Sequence, residues 1–274
     1  MTDEATTDEP VVTLLDLAWR SIADLIAEFD ESAWKTPTAL PGWSVQDCVA
    51  HIIGTELSLM GEPAPDVPLD HLSHVSSDFQ RFIEVWVEAR RHLPGTEIAA
   101  EYHEVIARRL AMLRSMTPEA FEKPGWSPIG EVPYREFMQV RVFDSWMHEQ
   151  DMRRALDRPG HLTGPVVDAS IDRFRAAIGY LVGKKAAAPD GSSVVLRTTG
   201  ENEVVLPVVV QGRARLTETA PSSPTVTITL PFTTLIALGG GRWDLTQAMA
   251  AGGVEMTGDA DLGQVVLSNL AFTP

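Results

Sequence analysis

Three ionisable side chains share one face of a single predicted helix. The segment RVFDSWMHEQDMRRAL, residues 141–156, contains Asp144, His148 and Asp151. At about 100° per residue, these side chains fall within about 60° of one another, inside the apolar arc of the helix. A buried unpaired carboxylate is costly, so such groups are normally ion-paired or bound to a metal. Asp144 and His148 are four residues apart, which lets them share one ligand.

A second predicted helix carries polar side chains that complement this face. It runs from about Ser44, a suitable N-cap, to about Met60. Glu56 lies inside its apolar arc, and His51 lies at the edge of that arc. A neutral imidazole that faces a carboxylate and an imidazole on another helix suits a divalent metal such as zinc, iron or nickel. Three protein ligands leave coordination positions open to water or substrate, which is typical of a catalytic site.

Each of these side chains also has a purely structural interpretation. His51 can be a hydrogen-bonded core histidine, and the carboxylates can pair with a nearby arginine: Arg141, Arg153 or Arg154. Glu56 is more typical of a structural or outer partner than of a direct ligand. Asp151 either holds a ligand imidazole through its other nitrogen or pairs with an arginine.

The cysteine and the other histidines show no comparable arrangement of polar side chains. Cys48 lies within the apolar arc of the second helix, so packing is its expected role rather than nucleophilic attack. The other histidines are expected at the surface or in loops: His71, His74, His92, His103 and His161. The candidate site therefore rests on the two helices.

Apolar residues spaced by three and four positions predict five helices before residue 160. Their approximate bounds are residues 11–30, 44–60, 76–92, 97–116 and 134–156. The segment 124–133, which contains several Pro and Gly residues, is predicted to be a loop. Helices of this length with modest connections form antiparallel bundles, and such a bundle brings the two site helices together.

The chain changes character near residues 160–190, where a domain boundary is expected. Runs of β-branched residues predict strands at residues 193–198, 203–210, 225–230 and 254–257. Helices are predicted at residues 232–238, 245–251 and 262–270, and an amphipathic helix that connects the two parts at residues 166–182. The predicted fold class is therefore mainly α, a helical bundle, followed by a smaller α+β domain.

Composition and charge exclude several classes of partner. The 274 residues include 22 Lys and Arg against 38 Asp and Glu, which gives a net charge of -16. Such a chain lacks the clustered cations that bind a nucleic-acid backbone or an anionic membrane surface. No apolar run approaches the roughly 20 residues that span a bilayer, and the acidic residues 1–10 are unlike a signal peptide. With Cys48 as its one cysteine, the chain is expected to be a soluble, cytoplasmic protein without a disulfide framework.

Two segments carry a family resemblance. They are WKTPTALPGWSVQDCVAHIIGTE, residues 34–56, and VFDSWMHEQDMRRALDRPG, residues 142–160. Both are similar to signatures of the mycothiol-dependent maleylpyruvate isomerase-like proteins, which belong to the DinB-like metal-binding superfamily. The resemblance implies a DinB-like four-helix bundle over residues 10–160 that binds a divalent metal through three side chains.

The resemblance also implies which side chains bind the metal. Carried onto this chain, the ligands are His51, Asp144 and His148. The family pattern has Glu at the middle position, whereas Asp144 is one methylene shorter. Aspartate is a competent metal ligand, so the implied three-residue site remains intact.

Residues 165–274 more loosely resemble the sterol-carrier-like α+β domain that is found attached to these bundles. In the isomerase, an arginine from this domain serves catalysis, and Arg242 in the segment GGGRW is the implied counterpart. An ordinary turn arginine is the alternative interpretation. With the metal and Arg242 on separate domains, the substrate is expected to bind in a cleft between them.

The resemblance implies a metal-dependent enzyme that uses mycothiol, a low-molecular-weight thiol, as co-substrate. Zinc is the first expectation for the metal, with iron and nickel as alternatives. The metal would bind and deprotonate the sulfur, and the thiolate would attack a small electrophilic substrate. Both an isomerase and a transferase fit. Other hypotheses are a carrier of an apolar ligand, a metal-dependent hydrolase, and a regulatory protein without turnover. Bundles of this type often pair, which leaves a homodimer open.

Overall fold

A computed structural model describes residues 9–272 of the chain. The described residues form two compact units, the first ending at His161 and the second beginning at Leu162. Most of the acidic N-terminal segment, residues 1–8, lies outside the described residues. Within residues 9–272, no helix has both the length and the apolar character that crossing a membrane requires.

The first unit is built around a bundle of four long helices. Its helices are α1 (Pro10–Ile26), α2 (Glu31–Trp34), α3 (Val45–Leu59), α4 (Asp78–Glu88), α5 (Gly95–Arg114), α6 (Pro118–Phe121) and α7 (Tyr134–Ala155). The long helices α1, α7, α3 and α5 pack in that order, and α5 closes the bundle against α1. Each contributes a fully buried side chain: Trp19, Trp146, Ile52 and Tyr102. The five predicted helices are confirmed.

The start of α3 follows from its first residues. The side chain of Ser44 accepts a hydrogen bond from the backbone N–H of Asp47, and the Asp47 carboxylate accepts one from the Ser44 N–H at 2.7 Å. This reciprocal capping satisfies two backbone donors that a helix start otherwise leaves unpaired. The cap fixes where α3 begins, and His51 and Glu56 then face the bundle interior, where they are 6% and 0% exposed.

The prediction of a loop at residues 124–133 is wrong, because this segment forms an antiparallel hairpin. Its strands are β1 (Pro124–Ser127) and β2 (Gly130–Pro133). The two prolines are compatible with strands because Pro124 pairs with Pro133 at the open end of the hairpin, where proline interrupts the ladder least. Trp126 is 67% exposed, so no buried, alternating face reveals these strands in the sequence.

The second unit contains a five-stranded sheet. Its strands are β3 (Ser193–Thr199), β4 (Val205–Gln211), β5 (Arg213–Leu216), β6 (Val226–Pro231) and β7 (Glu255–Gly258). Their order across the sheet is β5-β4-β3-β6-β7. Strands β3 and β6 are parallel, and the other neighbours are antiparallel. Three consecutive residues of the central strand β3 are buried, Val194, Val195 and Leu196, so the sheet is covered on both faces there.

Four helices accompany this sheet in the described part of the second unit. They are α8 (Pro165–Tyr180), α9 (Phe232–Gly239), α10 (Leu245–Ala251) and α11 (Ala260–Leu267). Helix α8 continues into one π-helical turn, Leu181–Lys185. Strand β5 was not predicted, because its sequence RARL is short and mostly exposed. The predicted fold class, a helical unit followed by a smaller α+β unit, is confirmed.

Candidate metal centre

Two helices of the bundle bring the predicted ligands together. His51 comes from α3, and Asp144 and His148 come from α7. His51 Nε2 lies 3.2 Å from Asp144 Oδ2, and His148 Nε2 lies 3.6 Å from Asp144 Oδ1. The donor atoms of all three side chains lie within 4.8 Å of one another. Two imidazole nitrogens and one carboxylate therefore converge on one point of the bundle.

The spacing of these donor atoms fits a divalent metal. With metal–ligand bonds of about 2.0–2.2 Å, neighbouring ligands of a tetrahedral site lie about 3.3–3.6 Å apart. The two measured nitrogen–oxygen separations, 3.2 and 3.6 Å, are close to that range. The side chains of His51 and His148 are 7% and 8% exposed, whereas 29% of Asp144 is exposed. The arrangement can therefore hold a metal while one side stays accessible to solvent.

The electrostatic surroundings favour the protonation states that metal binding requires at Asp144 and His51. Burial by itself raises the pKa of Asp144, but the charge of Arg141, helped by His51 and His148, outweighs it and holds that pKa well below its usual value. Burial is the largest influence on His51 and lowers its pKa, against the opposing effect of Asp144. An ionised carboxylate and a neutral imidazole are the forms that ligate a metal.

Glu56 forms ion pairs with two arginines, and one of them also contacts the candidate ligand Asp144. Glu56 Oε2 accepts a hydrogen bond from Arg109 Nε at 2.8 Å, and Glu56 Oε1 accepts one from Arg141 Nε at 2.9 Å. Nη1 of Arg141 donates in turn to Asp144 Oδ2. Arg109 Nη2 also donates to the Tyr134 hydroxyl at 2.5 Å. A continuous chain of buried ion pairs therefore connects Asp144 to Glu56 and beyond.

Asp151 lies on the other side of His148. Its Oδ2 is 3.3 Å from His148 Nδ1, and its Oδ1 is 3.6 Å from Arg154 Nη1. Both interpretations that the sequence left open for Asp151 therefore have a geometric basis. The buried Cys48 also offers a sulfur within 4.8 Å of donor atoms of His148 and Asp151. These three residues form a second group of donor atoms that shares His148 with the first.

Two of the histidines expected at the surface or in loops, His74 and His161, lie in loops, and each has a buried carboxylate partner that the sequence did not reveal. His161 Nδ1 lies 2.7 Å from Glu149 Oε2, and His74 Nε2 lies 3.2 Å from Glu84 Oε1. Both carboxylates are almost fully buried. The helical pattern gave no signal for either pair, because each joins a helix to a segment outside it.

Sequence reasoning also missed the aromatic side chain that covers the ligands. The ring of Trp43 lies 5.3 Å from that of His51 and 5.6 Å from that of His148, measured between centroids. Trp43 precedes the Ser44 cap of α3, within the segment 34–56 that resembles the family signature. Trp43 follows Pro41-Gly42, a turn signal that lies outside the helical pattern, so helical periodicity gives no indication that Trp43 faces the site.

The second unit contains the predicted catalytic residue Arg242. It follows α9, in the turn after Gly239-Gly240-Gly241, and it is half-buried. Its Nη1 donates a hydrogen bond to the carbonyl oxygen of Gly240. Gly241 has a φ of 69°, a conformation that favours glycine, so the turn depends on it. The catalytic role of Arg242 stays a prediction.

Comparisons with known proteins give matches for both parts of the chain. The family model of the mycothiol maleylpyruvate isomerase N-terminal domain matches residues 15–153, about half of the chain. The model of the SCP-2 sterol transfer family matches residues 185–270. A search of curated proteins finds no match.

Two solved structures share the fold. The chain is similar to the mycothiol-dependent maleylpyruvate isomerase at 18% identity, and to a mutant of that enzyme at 16% identity. The TM-score is 0.56 in both cases, and each match covers 94% of this chain and 96% of that chain. At these identities the likeness shows a common architecture over nearly the whole chain.

Replacing one of the two arginines that pair with the buried Glu56 tests this network of ion pairs. Arg109→Met keeps a long, flexible side chain but removes the charge that faces Glu56 Oε2. Breaking a buried ion pair leaves an uncompensated charge, so we expect urea denaturation to show a loss of about 3 kcal/mol in unfolding free energy.

The control for this variant is its sequence neighbour. Arg108 pairs with Glu62 at the surface, where such pairs contribute about 0–1 kcal/mol, so Arg108→Met is expected to have little effect. Equal losses in Arg109→Met and Arg108→Met would contradict the buried pairing.

Proposed function

The chain belongs to the family of the mycothiol maleylpyruvate isomerase N-terminal domain, and from this membership we propose that it is a metal-dependent, thiol-using isomerase or transferase. Its co-substrate in this proposal is mycothiol, and its substrate is a small electrophile. The observation that carries the proposal is the convergence of His51, Asp144 and His148 in the bundle. Residues 10–160 would form the metal-binding domain, and residues 165–274 the domain that contributes Arg242.

In this proposal the metal is held by two imidazoles and one carboxylate. Zinc accepts this ligand set, and iron and nickel accept it too. When bound, a divalent metal supplies a Lewis acid that lowers the pKa of a thiol, which can then react as the nucleophilic form at neutral pH. His51 and His148 contribute no charge in their neutral forms, and Asp144 contributes one negative charge.

The charges around the ligands support an acidic substrate. Asp144 and Glu56 are both balanced, because Arg141 lies between them and Arg109 lies on the far side of Glu56. These four side chains together are neutral, so they leave the charge of a bound dication uncompensated. A net positive site suits an anionic sulfur and a substrate that carries a carboxylate.

Arg242 is the proposed contact for the substrate. A guanidinium binds a carboxylate or a developing enolate through charge-assisted hydrogen bonds. In a chain with a net charge of -16, an acidic substrate needs such a local positive group. The support for this role is the position of Arg242 in the SCP-2-like unit, in the turn that follows α9.

A second candidate function is supported by a cavity in the second unit. The cavity has a volume of about 340 Å³, and its lining combines apolar residues such as Leu238 and Leu267 with the polar residues Asp244, Thr246 and Ser268. This volume lies within the range of small-molecule sites. The volume supports a carrier of a small ligand, and the match to the SCP-2 sterol transfer family is what favours an apolar one. Native mass spectrometry that shows no retained small molecule would count against this candidate.

The proposed metal site predicts the metal content of the wild-type chain and of three histidine variants. We expect about one zinc, iron or nickel ion per wild-type chain, measured by elemental analysis after purification without a metal-affinity column. His51→Ala and His148→Ala are each expected to lose the ion, because each removes one of three ligands. His103→Ala is the matched control, since His103 is an exposed histidine on α5. Stoichiometric metal in both ligand variants would rule out this site.

Replacement of Arg242 tests the substrate contact. We expect Arg242→Gln to lower kcat/KM for an acidic electrophile in the presence of thiol by about 100-fold, while metal content stays unchanged. Arg213→Gln, at an exposed arginine on β5, serves as the control. Equal kcat/KM values for the wild type and Arg242→Gln would show that Arg242 is an ordinary turn residue.

A further inference from the structure

Three aromatic rings form a cluster at the proposed metal site. The imidazole rings of His51 and His148 lie 4.7 Å apart between centroids, at an angle of 64°. The indole of Trp43 contacts both, at 5.3 and 5.6 Å. Each ring of the cluster therefore packs against the other two, and Trp43 is the member that has no role as a ligand.

The histidines have few hydrogen bonds that fix their ring orientation. A metal-binding histidine usually donates its second ring N–H to a carboxylate or a carbonyl, and this bond orients the ring. Both Nε2 atoms face Asp144, so Nδ1 is the second nitrogen in each case. Among the described residues, the buried Nδ1 atoms of His51 and His148 have no hydrogen-bond partner, and Asp151 Oδ2 lies 3.3 Å from that of His148. Ring packing must therefore supply much of the orientation.

The indole of Trp43 is anchored by a hydrogen bond to a buried carboxylate on α4. Its Nε1 donates a hydrogen bond of 3.0 Å to Oε2 of Glu84 on α4. Glu84 is 3% exposed, and its other oxygen accepts a hydrogen bond from Arg91 Nη2 and lies 3.2 Å from His74 Nε2. The same Arg91 donates to Asp47 of the α3 cap at 3.1 Å. The indole is thus tied to the helix that carries His51 and to α4.

The backbone of Trp43 is fixed as well. Its N–H donates to the carbonyl of Leu40 at 3.1 Å, and its carbonyl accepts from the backbone N–H of Thr38 at 2.9 Å. Gly42, just before it, has a φ of 76°, and a Cβ there would lie 2.4 Å from His74 Nδ1. Because Gly42 allows both the turn and the close approach of His74, the loop can present Trp43 in one orientation.

We propose that Trp43 is a positioning residue, whose indole, anchored by Glu84, fixes the ring orientations of His51 and His148 for metal binding. This role rests on the proposed metal site. Trp43 acts through the two imidazoles, so its loss changes how they coordinate rather than which atoms coordinate. Outer partners that orient histidine ligands typically contribute 10–100-fold in metal affinity.

Cobalt(II) is a suitable probe, because its visible absorption bands report on ligand geometry. We expect Trp43→Leu, which keeps apolar volume but no ring, to weaken cobalt affinity by about 10–100-fold in a chelator competition and to alter the visible bands. Trp43→Phe keeps a ring against both imidazoles but loses the hydrogen bond to Glu84, so we expect an affinity between those of Trp43→Leu and the wild type. Trp126→Leu is the matched control, since Trp126 is 67% exposed, and it should match the wild type.

The outcomes separate this inference from the proposed function. Wild-type affinity and unchanged cobalt bands in Trp43→Leu would overturn the positioning role and leave the metal site standing. A wild-type protein that binds no cobalt would overturn the metal site and the positioning role together. Equal losses in Trp43→Phe and Trp43→Leu would also contradict the role of an aromatic ring, and unfolding curves recorded without metal show whether each variant folds.

Discussion

The charge of Glu56 is the constraint on which the rest of the bundle depends. This carboxylate is fully buried between helices, and a buried charge is stable only with charged or hydrogen-bonding partners. Arg109 of α5 and Arg141 of α7 provide them, so one side chain of α3 ties three of the four long helices together. Arg141 also reaches Asp144, so the same network orients one of the proposed ligands and keeps it ionised.

The candidate site thus has two kinds of support. On the side of Arg141 and Glu56, ion pairs orient the carboxylate of Asp144. On the side of Trp43, ring packing contacts the imidazoles. A functional site needs its ligands held by surrounding groups, because small errors in position weaken binding. The ring packing comes from the capped beginning of α3, whereas the ion pairs join the last turn of α3 to the middle of α7.

Much of this organisation could be predicted from the sequence. Helical periodicity placed Asp144 and His148 on the inner face of α7, and Ser44 marked the start of α3. These signals are local: each depends on residues within one helix. The strands β3 and β6 could also be predicted, because each is a short run rich in β-branched residues.

The rest could not be predicted because it depends on contacts between distant segments. The Glu56–Arg109 pair joins residues 53 positions apart, and Trp43, just before α3, contacts His148 on α7. Nothing in the spacing of these residues along the chain reveals such pairs. The β1–β2 hairpin was missed for a different reason, since its exposed strands contain the prolines and glycines that usually mark loops.

X-ray absorption spectroscopy at the zinc edge, on zinc-loaded protein without added thiol, tests the central claim most directly. Coordination by His51, Asp144 and His148 predicts nitrogen and oxygen neighbours at about 2.0–2.2 Å and no sulfur neighbour at about 2.3 Å. A sulfur neighbour would contradict this account, because it would place the metal on the second donor group, which contains Cys48 and Asp151.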